Sequence, residues 1–180
     1  MVCTTLIAGI AMAGEFQRGL EAFNSEDYDQ AMASWLPLAR AGDINAMYNV
    51  GLLYDEGLGV PVDKEAALDW YLVPAEEGDV SAQFNVAMIY DFGDGVPENN
   101  EKALYWYTEA ARQADELAQF NLAVMYATGE GVRVDMDEAI KWYKFSADLG
   151  HVPAQYNLAY IYDTGTGVPE DNQLAMQWYL

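Results

Sequence analysis

A block of 36 residues recurs four times in register, which rules out an ordinary globule built around one central core. Ala46-Met-Tyr-Asn-Val-Gly-Leu-Leu-Tyr54 returns as Ala82-Gln-Phe-Asn-Val-Ala-Met-Ile-Tyr90. It returns again as Ala118-Gln-Phe-Asn-Leu-Ala-Val-Met-Tyr126 and as Ala154-Gln-Tyr-Asn-Leu-Ala-Tyr-Ile-Tyr162. A period of this length marks a solenoid, whose units cannot bury their own apolar faces and must stack on their neighbours. Function is then expected on a repeated surface rather than in a single pocket.

Each block reads as two helices joined by a glycine bend. Met47, Val50, Gly51 and Tyr54 fall at i, i+3, i+4 and i+7, the spacing of one buried helix face. Gly51, Ala87, Ala123 and Ala159 keep one position small, so that a neighbouring helix can approach. In the bends, Gly57 and Gly59, Gly93 and Gly95, Gly129 and Gly131, and Gly165 and Gly167 supply positive φ. Asp63, Asn99 or Asn100, Asp135 and Asp171 then stand ready to cap the second helix. These bends lack the alternating carboxylates and terminal Glu of a calcium loop, so no metal is expected.

The second helix carries Trp70-Tyr71, Trp106-Tyr107, Trp142-Tyr143 and Trp178-Tyr179. Such pairs could form a ladder for stacking a ligand, but large aromatics at helical spacing are expected to cement the layers. Gly42, Gly78 and Gly150 read as left-handed C-caps of second helices, with Ala114 as the exception. Pro74 is expected to kink its helix or end it early. Asn49, Asn85, Asn121 and Asn157 are expected to satisfy buried backbone groups at repeat junctions.

The repeats divide the chain into an atypical first unit at 14–45, full blocks at 46–81, 82–117 and 118–153, and an incomplete block at 154–180. Ahead of them, residues 2–13 are nearly all apolar or small and end in Ala11-Met12-Ala13. That pattern reads as a truncated export signal, which would place the protein in the periplasm or outside the cell. An apolar helix capping the first repeat is the other reading. The segment is too short to span a bilayer. At the other end Leu180 falls inside a second helix, so the chain reads as truncated there too.

The motif A-x-Y/F-N-L/V-G/A-x-x-Y, then G-x-G-V, then A-x-x-W-Y resembles the Sel-one-like repeat (SLR) family, close relatives of the tetratricopeptide repeat. The resemblance covers residues from about Ala46 to the end, and Phe16 to Asp43 is similar to a tetratricopeptide-like unit. It implies an all-α, right-handed superhelical solenoid of antiparallel helix pairs that acts as an adaptor for other proteins, often as a secreted or periplasmic bacterial factor. Some cysteine-rich members are linked to β-lactam binding or hydrolysis. They carry paired cysteines in each repeat, whereas Cys3 is the only cysteine here.

Charge and chemistry narrow the function. Lys and Arg total 8 against 29 Asp and Glu, a net charge of −21 that repels nucleic acid and anionic membrane surfaces. His151 is the only histidine and follows Gly150, where it reads as exposed or as answering a helix dipole. No S-x-x-K, G-x-S-x-G, H-E-x-x-H or P-loop pattern occurs, and neither an enzymatic role nor a cofactor is expected. By resemblance, the first helices line a concave face. There Tyr48, Leu52 and Asp55 recur as Phe84, Met88 and Asp91, as Phe120 and Val124 with Ala127, and as Tyr156, Tyr160 and Asp163. These aromatic and acidic rows suit a protein or peptide segment carrying Lys or Arg, or else the aromatics pack within and between repeats. The competing functions are a cell-wall or β-lactam-related protein and a regulatory segment of a larger enzyme.

Overall fold

The computed structural model describes the backbone of residues 2–180 and the side chains of residues 12–180. Residues 1–11, with Cys3 and most of the signal-like segment, have no described side chains. The described chain is all helical. Its elements are α1 (Val2–Asn24), α2 (Tyr28–Arg40), α3 (Ile44–Glu56), α4 (Lys64–Glu76), α5 (Val80–Phe92), α6 (Asn100–Arg112), α7 (Glu116–Thr128), α8 (Met136–Asp148), α9 (Val152–Thr164) and α10 (Asn172–Tyr179). From α2 to α9 each helix has 13 residues, and corresponding helices start 36 residues apart. Even α2 obeys this spacing, so the atypical first unit departs from the repeat in its shorter bend and in the greater length of α1. None of the described helices is long and apolar enough to cross a membrane.

The chain forms two compact units, one of residues 1–82 with 94–96 and one of residues 83–93 with 97–180. In the first, Ala31, Trp35, Leu38, Ala46, Val50 and Leu53 make a buried core. Trp35 is 1% exposed, and its indole Nε1 donates to the Phe16 carbonyl at 3.2 Å, which satisfies the polar end of a buried aromatic. In the second unit, Ala123, Ala139, Tyr143, Ala147, Leu158 and Ile161 form the corresponding core.

Local chemistry explains where the helices begin. Asp63, Asn99, Asp135 and Asp171 each accept a backbone N–H in the first turn of a second helix, which selects Asn99 over Asn100. First helices are capped in the same way by Asp43, Asp79 and Asp115, a role that went unassigned in the sequence because the acids stand beside the C-cap glycines. The helix ends are equally regular. Gly42, Gly78 and Gly150 have φ of 95°, 95° and 98°, and Ala114 adopts the same left-handed conformation at 66° without being glycine.

Two expectations are sharpened. Pro74 does not end its helix early, because α4 runs to Glu76 like its sisters. Lying in the last turn, the proline removes only one internal hydrogen bond, and its carbonyl accepts from Asp79 N at 2.9 Å. The buried stripe of the first helices is also displaced. Ala46, Val50, Gly51 and Leu53 are buried, while Met47 and Tyr54 are half-buried at its edges.

The second glycine of each bend does more than supply positive φ. A Cβ on Gly59 would lie 2.8 Å from Tyr28 Cβ and 3.1 Å from its backbone, and one on Gly131 would strike the Asn100 carbonyl. The bend therefore lies against the start of the preceding second helix, and only glycine permits that approach.

Candidate peptide-binding face

The Trp-Tyr pairs divide their labour. Tyr71, Tyr107 and Tyr143 are at most 4% exposed, whereas Trp70, Trp142 and Trp178 are half-buried. Tyrosine is the core member in the first three blocks, with Trp106 also buried at 8% and Tyr179 exposed at 47%, and each tyrosine meets the aromatic of the candidate row in its own repeat. Ring centroids are 5.5 Å apart for Tyr48 and Tyr71, 5.9 Å for Phe84 and Tyr107, 5.7 Å for Phe120 and Tyr143, and 5.9 Å for Tyr156 and Tyr179. In the first unit Tyr48, Leu52 and Asp55 are half-buried. In the second, Phe84, Met88, Asp91, Phe120 and Val124 are half-buried, and Tyr156, Tyr160 and Asp163 are exposed.

Beneath these rows runs a hydrogen-bond system that periodicity alone did not disclose. The Tyr71 hydroxyl donates to Asp55 Oδ2 at 3.3 Å, and the Tyr107 hydroxyl donates to Asp91 Oδ2 at 3.1 Å. The Asn121 amide beside Tyr107 and the Asn157 amide beside Tyr143 each oppose the upward push that burial gives the phenol. Asn121 and Asn157 thus stand beside the tyrosine of the preceding repeat. A buried phenol needs an acceptor for its proton, and the first helix of the same repeat supplies one in the first two blocks. The recurrence of Tyr 16 residues after Asp in the first, second and fourth blocks was the available signal. The third block breaks it, with Ala127 in the place of the acid.

The three acids of the rows occupy different electrostatic settings. Asp55 is held by Lys64 Nζ at 2.7 Å, and its side chain is only 13% exposed. Burial works against the charge of Lys64. The hydrogen bond and charge of Asp55, helped by Asp94 and Glu56, nevertheless hold its pKa above the ordinary lysine value. Asp91 has no such cation among the described residues, since Asn100 stands where the first block has Lys64. Burial pushes its carboxyl above the ordinary aspartate range, Tyr107 opposes this, and the nearby Glu98 and Glu130 add to it. Burial likewise raises Tyr107, aided by the charge of Asp91. Asp163 is open to solvent.

His151 departs from its expected role. It is half-buried at the N-cap of α9, where Asp43, Asp79 and Asp115 stand in the other blocks, and it makes no capping hydrogen bond. Its ring packs edge-on against Phe120 at 4.8 Å, and Nδ1 is buried without a partner. No described cluster of His, Cys, Asp or Glu could hold a metal ion.

Paired helices on a 36-residue period, with small residues at the contacts and glycine bends between, define a helical-repeat protein. The profile of the Sel1 repeat, the Sel-one-like unit, matches residues 44–79, 80–115, 117–151 and 152–180. The chain belongs to the Sel1 repeat family. A Sel1 repeat protein from Oxalobacter formigenes is 34% identical, with a TM-score of 0.82 over 92% of this chain and 66% of its own. The protective antigen c5321 of uropathogenic Escherichia coli, which displays an SLR fold, is 28% identical. Its TM-score is 0.66 over 93% of this chain and 44% of its own. The chain thus spans just under two thirds of the first and less than half of the second. No curated protein matches it. Sel1 repeat proteins are generally non-enzymatic scaffolds for protein interaction.

Proposed function

We propose that the protein is an interaction scaffold whose second unit binds a basic peptide segment along Phe84, Met88, Asp91, Phe120, Val124, Tyr156, Tyr160 and Asp163. In the first unit Tyr48, Leu52 and Asp55 offer the same residue types, with the acid already paired to Lys64. The observation that carries the proposal is the setting of Asp91. Its half-buried carboxylate faces Glu98 and Glu130 and has no cation of its own among the described residues. A Lys or Arg arriving there relieves repulsion that folding leaves in place, while Tyr156 and Tyr160 offer exposed rings beside Asp163. Export is part of the same proposal, resting on the apolar residues 2–13 and Ala11-Met12-Ala13.

Fluorescence anisotropy with a labelled peptide alternating Lys and Leu tests this reading, with Glu replacing Lys as the control probe. Asp91→Asn and Tyr160→Ala are each expected to weaken binding about five-fold or more. Asp148→Asn, an exposed acid at the end of α8, is expected to change it less than about two-fold. Equal weakening by all three would mean that the net charge alone attracts the peptide, and the proposal would fail.

A further inference from the structure

The third block lacks an acid that the first two possess, and the space it leaves is a pocket. Where Asp55 and Asp91 accept the protons of Tyr71 and Tyr107, Ala127 places only a methyl group opposite Tyr143. Ala127, Met136, Tyr143, Asn157, Tyr160 and Ile161 line the resulting cavity of about 240 Å³, with Thr166 at its edge. None of these residues carries a charge. The walls are mostly methyl, thioether and ring surface, and Tyr143 is 4% exposed. Asn157 lines the pocket beside Tyr143, whose phenolic proton lacks the carboxylate its sisters have.

The geometry points to a recognition pocket for a neutral carboxamide side chain, Asn or Gln, supplied by the bound segment in place of the missing aspartate. This inference rests on the reading of the second unit as a peptide-binding face.

Three observations select that chemistry. The phenolic proton requires an acceptor, which excludes an ammonium or guanidinium as its partner. A carboxylate would satisfy the proton but would be desolvated among uncharged walls, with no cation among them, in a chain of net charge −21. A carboxamide carries the acceptor without the charge. Its carbonyl can accept from the Tyr143 hydroxyl while its N–H groups match the Asn157 carbonyl, and both residues line the pocket. The Asp91 site shows the alternative at work, because burial there already pushes a carboxyl upward even with the Tyr107 proton bonded to it.

Isobutyramide, with isobutyrate and isobutylamine as matched probes, tests the pocket on the full chain without any peptide. The reporters are the methyl resonances of Met136 and Ile161, followed by NMR during titration. Isobutyramide is expected to give saturable shifts, with isobutyrate and isobutylamine at least about five-fold weaker. Ala127→Asp rebuilds the carboxylate of the sister repeats and is expected to abolish the shifts. Tyr143→Phe keeps the ring and is expected to weaken binding about five-fold or more, so it carries the test alone should Ala127→Asp fail to fold. Shifts that do not saturate, isobutyrate binding as well as the amide, or binding unchanged in Tyr143→Phe would each overturn the inference. Failure of the basic peptide in the anisotropy assay, with isobutyramide still binding, would count against the peptide-face reading and leave the pocket standing.

Discussion

The hydroxyl of Tyr107 donates to Asp91 Oδ2 across 3.1 Å, so one buried phenol ties α6 to α5. Removing that hydroxyl leaves a half-buried carboxylate without its donor. Tyr107→Phe is expected to cost about 1–3 kcal/mol, because orphaned buried groups carry their full desolvation penalty. Tyr143→Phe orphans no carboxylate, since Ala127 stands in the place of the acid, and is expected to cost about 0.5–1.5 kcal/mol. Urea unfolding of both variants compares them, and equal losses would show that the carboxylate contributes nothing to the difference.

Asp91 gives the fold a pH dependence of known sign. An acid whose folded pKa lies above its unfolded one binds its proton more tightly when folded, so its stabilising contribution is present at low pH. That contribution is lost as pH rises from the ordinary aspartate value of 3.8 through the raised folded value. Asp91→Asn keeps an oxygen to accept from Tyr107 and removes the charge that faces Glu98 and Glu130. The melting temperature of the variant, relative to the natural sequence, is therefore expected to rise between about pH 4 and pH 7. Thermal melts across that range check it, and a difference that is flat or falls with pH contradicts the assignment.

Ala114 holds φ of 66°, where its sisters at the ends of second helices are glycine. The left-handed conformation strains a Cβ by about 1–2 kcal/mol, partly offset by the greater unfolded freedom of glycine. Ala114→Gly is accordingly expected to stabilise the protein by about 0.5–1 kcal/mol. Gly150→Ala is expected to destabilise it by about 1 kcal/mol, although a Cβ there would meet nothing within 4 Å, since the penalty lies in the backbone alone. Denaturant midpoints of the two variants should move in opposite directions.

His151 occupies an N-cap without capping it. Comparing His151→Asp with His151→Ala isolates the cap, because both lose the ring contact with Phe120. The aspartate variant is expected to exceed the alanine one by about 1 kcal/mol near neutral pH. Equal midpoints would show that α9 does not need the cap its sister helices possess.

Much of the fold was legible because repetition averages out local ambiguity. Helix pairs, glycine bends, second-helix caps and the core role of the tyrosines follow from short-range rules applied four times over. The candidate rows were legible as positions, but their chemical state was not. Asp55, Asp91 and Asp163 look equivalent along the chain, yet Lys64 holds the first, burial and two acids press on the second, and solvent surrounds the third. The surroundings of the asparagines were hidden for a related reason: Tyr107 and Tyr143 lie on different helices from Asn121 and Asn157, and no spacing within α7 or α9 points to them.

The 36-residue period and its residue types determined by themselves which segments are helices, where they turn and which family they form, because those outcomes depend on backbone preference and apolar spacing. Only the tertiary structure decided which carboxylate lacks a cation and which phenol lacks a carboxylate, because both depend on side chains brought together from separate helices. Ala127 shows the difference: in the sequence it is one missing acid, and in the folded second unit it is the floor of a pocket beside Tyr143.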